Sequence, residues 1–159
     1  MRILLLSDSH GYTNNIIKAV KKAKVVDLII HLGDFSKDIS SVKEYIKDIR
    51  CEIVSGNNDW TREYPLEKVL EVHGKKIFIT HGHQYNVKYD YQRIINKGKL
   101  IKADAVFFGH THEREELFSD GMLVLNPGSI GIPKDNNKTY CIVEIRDGRF
   151  WPRFESVNF

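Results

Sequence analysis

The sequence predicts an α+β fold in which two β-sheets pack together with helices on the outside, and three observations lead there. Strand-like and helix-like stretches alternate through the N-terminal half. Two tight-turn signals, Asp120-Gly121 and Asp147-Gly148, follow in the C-terminal part. No repeat, low-complexity stretch or Pro/Gly/Ser-rich linker divides the chain. Alternating βα units build parallel strands and Asp-Gly turns join antiparallel ones, so a simple doubly wound sheet does not account for both halves. One domain over residues 1–159 is expected, because 159 residues suffice to bury a core without disulfides.

Taken in order, residues 3–6 (Ile-Leu-Leu-Leu) form a continuous apolar run, the pattern of a strand buried on both faces. Ile16, Ile17, Val20 and Ala23 then recur at helical spacing. A second buried strand is read over 25–32. The stripe Ile39, Val42, Ile46 and Ile49 marks a following helix, capped by Ser40 or Ser41. A short strand at 52–55 precedes a hairpin whose arms, 68–72 and 76–80, flank His73-Gly74. A helix is expected over 89–101 and a strand over 105–108. The two Asp-Gly turns join 115–118 to 122–126 and 140–145 to 149–154.

Composition narrows the function classes. With 42% hydrophobic and 28% charged residues the chain has the profile of a soluble globular protein. Its charge of +3 comes from 24 basic and 21 acidic side chains, clustered only weakly, as at Lys21, Lys22 and Lys24. That is a solvated helix face rather than a nucleic-acid stripe, so nucleic acid is not the expected partner. Cys51 and Cys141 each open an apolar run, where free cysteine acts as a small hydrophobe. The apolar stretch at 3–6 is too short for a secretion signal or a membrane span. A cytoplasmic location without a membrane partner is therefore expected.

Five successive apolar runs end directly in polar residues able to bind metals: Asp8 and His10, Asp34, Asn57, His81, then His110 and His112. Strand carboxyl ends line the ligand crevice of open α/β sheets, so these seven residues can converge although distant in sequence. Asp8/His10 and His110/His112 are i, i+2 pairs, which an extended backbone points to one side. Asp34, with two anionic oxygens, is the candidate to bridge two cations, and Asn57 offers a neutral carbonyl. Nitrogen and oxygen donors without thiolate suit manganese, iron, cobalt, nickel or zinc in a reactive site more than a structural zinc.

The segments Asp8-Ser9-His10-Gly11, Gly33-Asp34, Gly56-Asn57-Asn58-Asp59, Thr80-His81-Gly82-His83 and Gly109-His110-Thr111-His112 span nearly the whole chain. Together they resemble the calcineurin-like metallophosphoesterase superfamily, especially its small bacterial and archaeal phosphodiesterase-like members. Asn126-Pro127-Gly128-Ser129 is similar to the loop these members carry after the last histidines. The resemblance implies a four-layer αββα sandwich, two mixed β-sheets face to face with flanking helices (the metallo-dependent phosphatase fold). It also implies two divalent ions, manganese favoured, with Asp8, His10, Asp34 and His112 on one and Asp34, Asn57, His81 and His110 on the other. The activity implied is hydrolysis of a small phosphodiester by in-line attack of a metal-bridging hydroxide. Some small members form dimers or larger assemblies, which points to a homo-oligomer.

One position departs from the pattern. Larger relatives carry histidine after the motif asparagine and small ones often cysteine, whereas this chain has Asn58. An amide donates hydrogen bonds but is no general acid at neutral pH, so diesters with good leaving groups are expected over monoesters. Asn58 and His83 are the candidates for substrate contact or proton transfer, and Asp59 loses the imidazole it would orient. His31 is expected in the core or orienting a neighbouring ligand and His73 on the surface; Trp60, Tyr64, Tyr85 and Tyr89 follow motif segments, where an aromatic wall around a substrate is one reading and packing the expected one. A non-catalytic protein-binding scaffold of the same fold, or a nuclease, are the competing readings.

Overall fold

Strand β1 (Arg2–Leu6) organises the first sheet because both of its faces are apolar. Ile3 and Leu5 point into the core between the sheets, and Leu4 and Leu6 point to the helical side, as the two-residue period of a strand requires. It pairs in parallel with β2 (Leu28–His31), which pairs in parallel with β3 (Arg50–Ile53). On its other edge β1 runs antiparallel to β9 (Thr139–Arg146), which forms a hairpin with β10 (Arg149–Ser156). The computed structural model describes residues 1–61 and 63–157.

The second sheet has the order β4-β5-β6-β8-β7. Its parallel centre is β5 (Lys75–Thr80), β6 (Ala105–Phe107) and β8 (Met122–Pro127), with β4 (Glu67–Val72) and β7 (Arg114–Ser119) antiparallel at the edges. Ile77, Ile79, Phe107, Leu123 and Leu125 meet Ile3, Leu5, Leu28 and Ile30 in the core between the sheets. Outside the first sheet lie α1 (Thr13–Ala23), α2 (Asp38–Ser41) and α3 (Lys43–Ile46), covering Leu4, Leu6 and Ile29. Outside the second, α4 (Gln92–Leu100) sets Ile94 against Phe78, Val106 and Val124. The result is the αββα sandwich.

All three two-residue turns have positive φ at both positions: His73 and Gly74, Asp120 and Gly121, Asp147 and Gly148. That is the conformation which matches the right-handed twist of hairpin strands. His73 is exposed there. Cys141 lies in the core between the sheets and Cys51 is half-buried on the helical side, both as free thiols.

The third strand lies at Arg50–Ile53 rather than 52–55, and three further elements differ from the sequence reading. The stripe Ile39–Val42–Ile46 is buried as expected, but over two short helices rather than one, because the backbone leaves helical geometry at Val42 (φ −104°, ψ 14°). Neither Ser40 nor Ser41 caps anything; both sit inside α2, where serine competes with the helix for hydrogen bonds. The second strand begins at Leu28, not Val25: Lys24 takes a φ of 62° and Asp27 exchanges hydrogen bonds with the Arg2 backbone to close the turn. Helix α4 starts at Gln92, whose N–H is taken by the Asp90 carboxylate at 2.8 Å, leaving Tyr89 outside.

Candidate metal centre

The parallel strands of both sheets deliver their carboxyl ends to one edge of the sandwich. The loops after β1, β2 and β3 carry Asp8 and His10, Asp34, and Asn57, and those after β5 and β6 carry His81, His110 and His112. Asp8, His10, Asp34, His110 and His112 all have φ between 45° and 69°. Left-handed backbone is rare in residues other than glycine and concentrates at functional sites, where the surroundings hold it against its cost. The extended backbone expected for the i, i+2 pairs is therefore absent. Tight left-handed turns aim the side chains instead, and His110 and His112 diverge to different neighbours.

Asp8, His10, Asp34 and His112 each bring one donor atom into a cluster whose members all lie within 4.8 Å of one another. Asp8 is fully buried, and its Oδ2 accepts from Ser7 Oγ and from the His110 N–H (3.1 Å). Its Oδ1 has no aligned hydrogen bond among the described residues; His112 Nε2 stands 3.1 Å away. The tautomer of His112 follows from its other nitrogen. Nδ1 lies 2.7 Å from the Ile132 carbonyl, which only accepts, so Nδ1 carries a proton in either charge state, and Nε2 donates to Asp8 when the ring is charged and holds a lone pair when it is neutral. His10 Nε2, also buried without a hydrogen bond, is 3.5 Å from Asp34 Oδ2.

A second convergence adjoins the first. His81, fully buried, has Nδ1 2.7 Å from the Leu32 carbonyl, a bond that ties the two sheets and again frees Nε2. Around that nitrogen stand Asn57 Oδ1 at 3.1 Å, His110 Nδ1 at 3.2 Å and Asp34 Oδ1 at 3.4 Å. Asp34 thus turns one oxygen to each convergence. The close approach requires glycine at positions 33, 56 and 109: a Cβ on Gly33 would lie 2.5 Å from Gly56 N, one on Gly56 would strike Asp34 Oδ1, and one on Gly109 would strike Ser7 Oγ.

The calcineurin-like phosphoesterase superfamily domain matches residues 1–148 of the chain. The chain belongs to this superfamily. A probable metallophosphoesterase of Mycoplasma pneumoniae is 32% identical over 153 residues, covering 93% of this chain and 92% of that protein. A phosphodiesterase of Methanocaldococcus jannaschii is 34% identical over 146 residues, covering 80% of this chain and 83% of its own. Among solved structures, a predicted phosphoesterase of Streptococcus pneumoniae superposes with a TM-score of 0.83 at 30% identity, covering 98% of this chain and 88% of that one. A calcineurin-like phosphoesterase is a phosphoric ester hydrolase, and the Asp8–His10–Asp34–His112 cluster fits divalent metal use.

Within this calcineurin-like domain, Asn58 is turned to Asp34 rather than to open space. Its backbone N–H reaches Oδ1 at 2.9 Å and its side-chain amide reaches Oδ2 at 2.7 Å. His83 sits in a short 3-10 turn with its ring 5.5 Å from that of His81 and 6.0 Å from that of His110, its Nδ1 buried and unpartnered among the described residues.

Sequence reasoning named Asp59, His31 and the Asn126–Ser129 loop but missed how they hold the loops. Asp59 accepts three backbone N–H groups, from Asp34 and Gly56 on Oδ2 and from Ser36 on Oδ1. Ser129 Oγ donates to the Asp8 carbonyl, and Asn126 Nδ2 donates to the Gly109 carbonyl, so the Asn126–Ser129 loop steadies two turns that carry candidate ligands. His31, buried as expected, accepts the Gly33 N–H on Nδ1 and so offers its Nε2 proton to Ser9 Oγ, which donates onward to Asp38. That relay fixes the turn between Asp8 and His10. A phosphoesterase motif gives only a partial signal for such residues, in the serine inside Asp8-Ser9-His10 and in the terminal Asp of the Gly56–Asp59 segment.

The protonation equilibria of this phosphoesterase site set a pH dependence. Burial would raise the Asp8 carboxyl, but His112, His81 and Ser7 hold it down at about 2. Burial, with His81 and Lys88, pushes His110 down to about 4, and burial lowers His10, His31 and His83 as well. His112 alone moves up: burial opposes it, and Asp8 with the Ile132 carbonyl prevails. A histidine with a depressed folded pKa stabilises above its unfolded value of 6.5 and loses that contribution as pH falls; His112 does the reverse. Four oppose one, and Asp8 stays ionised in this window. Metal-free protein is therefore expected to unfold at a lower urea concentration at pH 5 than at pH 7.5, and equal midpoints would show that His112 offsets the other four.

Proposed function

We propose that Asp8, His10, Asp34 and His112 hold one divalent ion, that Asp34, Asn57, His81 and His110 hold a second, and that the chain hydrolyses small phosphodiesters. The observation that carries this reading is the facing of lone pairs. His81 spends the one proton of its neutral ring on the Leu32 carbonyl and turns a bare nitrogen toward the Asn57 and Asp34 oxygens, and His112, which without metal gives its Nε2 to a proton shared with Asp8, offers the same nitrogen to a cation that replaces that proton. Acceptors meeting acceptors in a buried space are costly unless a cation stands among them. The donor set contains no thiolate, which suits manganese, nickel, iron, cobalt or zinc without choosing among them, and manganese is favoured on the family resemblance. Two such ions supply Lewis acidity, an activated water at neutral pH and compensation for charge on the phosphoryl group.

The chain's own residues then divide the remaining work. Asp34 keeps the two donor sets in contact, and Asn58 orients Asp34 through both of its oxygens. His83 Nδ1, buried beside the second set, is the group that contacts a substrate oxygen. With an amide at position 58, no acid of the usual kind protonates the departing oxygen, so the leaving group must tolerate its own negative charge. A general acid is worth roughly 100- to 10,000-fold. kcat/KM for bis-nitrophenyl phosphate is accordingly expected to exceed that for a simple alkyl phosphate by at least about 100-fold. Equal values across a panel of divalent metals would refute the diesterase reading.

The single-domain reading of residues 1–159 and a cytoplasmic location belong to the same proposal, as does a homo-oligomer. Among the described residues no helix is long and apolar enough to cross a membrane.

A further inference from the structure

A cleft of about 410 Å³ opens beside the second donor set, lined by Asn57, Asp59, Trp60, Leu66, His83 and Gln84. Its volume falls in the range of pockets that hold small organic ligands. Two of its walls, Asn57 and His83, belong to the centre itself, so a substrate whose phosphoryl group sits there extends into this cleft. Trp60 is 93% exposed at its rim. A single exposed ring is ordinary on a protein surface; what sets this one apart is its place on the rim of a cleft that opens onto the centre.

The other aromatic residues that follow the motifs do not share this position. Tyr85 packs edge-on against Phe78 at 6.0 Å and donates its hydroxyl to Glu67. Tyr64 packs on the helical side of the first sheet, and Tyr89, though 89% exposed, does not line the cleft. Among the described residues, Trp60 alone combines an open ring face with a place on the cleft.

We infer that this cleft receives a planar aromatic group of the phosphoester, a nucleobase or an aryl ring, stacked on the Trp60 indole. The inference rests on the phosphoesterase reading of the centre and adds a substrate class to it. Stacking needs only a π-face, while Gln84 and His83 offer polar atoms to the edge of the ring. An aromatic leaving group of the aryl type also departs without the acid that Asn58 cannot supply.

The test is calorimetric titration of manganese-loaded wild type, Trp60→Phe and Trp60→Ala with adenosine monophosphate, phenyl phosphate and ribose 5-phosphate. The nucleotide is expected to bind roughly 10- to 100-fold more tightly than ribose 5-phosphate to wild type, with the advantage largely kept in Trp60→Phe and lost in Trp60→Ala. Trp60 is nearly free of packing, so the variants keep the fold. An advantage shared by phenyl phosphate assigns the cleft to aryl rings in general; an advantage confined to the nucleotide assigns it to nucleobases. Equal binding of nucleotide and ribose 5-phosphate, an undiminished ratio in Trp60→Ala, or no binding of either would overturn the inference. If the ratio vanishes while bis-nitrophenyl phosphate is still hydrolysed, the stacking inference alone fails. If the ratio holds and no ester is hydrolysed, the phosphoesterase reading fails and the aromatic cleft stands.

Discussion

Asp34→Asn is expected to lower kcat/KM for bis-nitrophenyl phosphate by about 1,000-fold or more while the metal-free chain keeps its fold. Asp34 is 1% exposed and divides its oxygens, Oδ2 facing His10 Nε2 at 3.5 Å and Oδ1 facing His81 Nε2 at 3.4 Å. An amide replaces one of these oxygens with an NH2 that donates to a ring nitrogen and cannot bind a cation. One of the two donor sets is lost and the negative charge between them disappears. The new NH2 faces one of the two Asn58 donors, so stability should fall by about 1–3 kcal/mol, while the Asp34 backbone N–H on Asp59, which the substitution leaves in place, keeps the loop pinned. The checks are hydrolysis kinetics, metal stoichiometry by elemental analysis and thermal unfolding in chelator. Retained activity with one ion bound would mean that a mononuclear site suffices; retained stoichiometry with lost activity would move Asp34 from metal binding to orientation of the substrate.

The layers of this fold are legible in the sequence because burial on both faces and tight turns leave local traces. Ile3-Leu4-Leu5-Leu6 needs apolar residues at every position, as it contacts the other sheet on one face and α1 on the other. Asp120-Gly121 and Asp147-Gly148 announce their hairpins through the positive φ that few other residue pairs accept. The break at Val42 leaves no such trace, since the same apolar stripe serves one helix or two. The candidate ligands are visible because strand ends are visible. How they are aimed is not, because left-handed backbone at Asp8, His10 and His110 is imposed by tertiary bonds from distant loops rather than by neighbours in sequence. Trp60 shows a further limit: an aromatic residue after a strand end reads the same whether it packs inward or stands in water.

Asp59 best separates what a motif states from what the molecule does with it, and its removal should be costly. By motif logic it lacks the imidazole it would orient, but its two oxygens clamp the Asp34 and Gly56 N–H groups at 2.9 and 2.7 Å and the Ser36 N–H at 2.8 Å. It thereby fastens the loop after β2 to the loop after β3. Hydrogen bonds to an ionised acceptor contribute roughly 1.5–3 kcal/mol each, and partial exposure lets water replace some of that. Asp59→Ala is expected to cost about 2–4 kcal/mol in all, a fall in Tm of roughly 5–15 °C for a chain of this size. The loops it frees carry Asp34 and Asn57, so metal affinity measured well below either Tm should fall by roughly 10- to 100-fold. Asp59→Asn retains one accepting oxygen and sets an NH2 against a backbone donor, so it should lie between wild type and alanine on both scales. A fall in Tm without a change in metal affinity would reduce Asp59 to a structural clasp. An unchanged Tm would transfer the fastening to the Asn58–Asp34 hydrogen bonds, which join the same two loops, together with the Gly33–Gly56 contact and the His81–Leu32 bond.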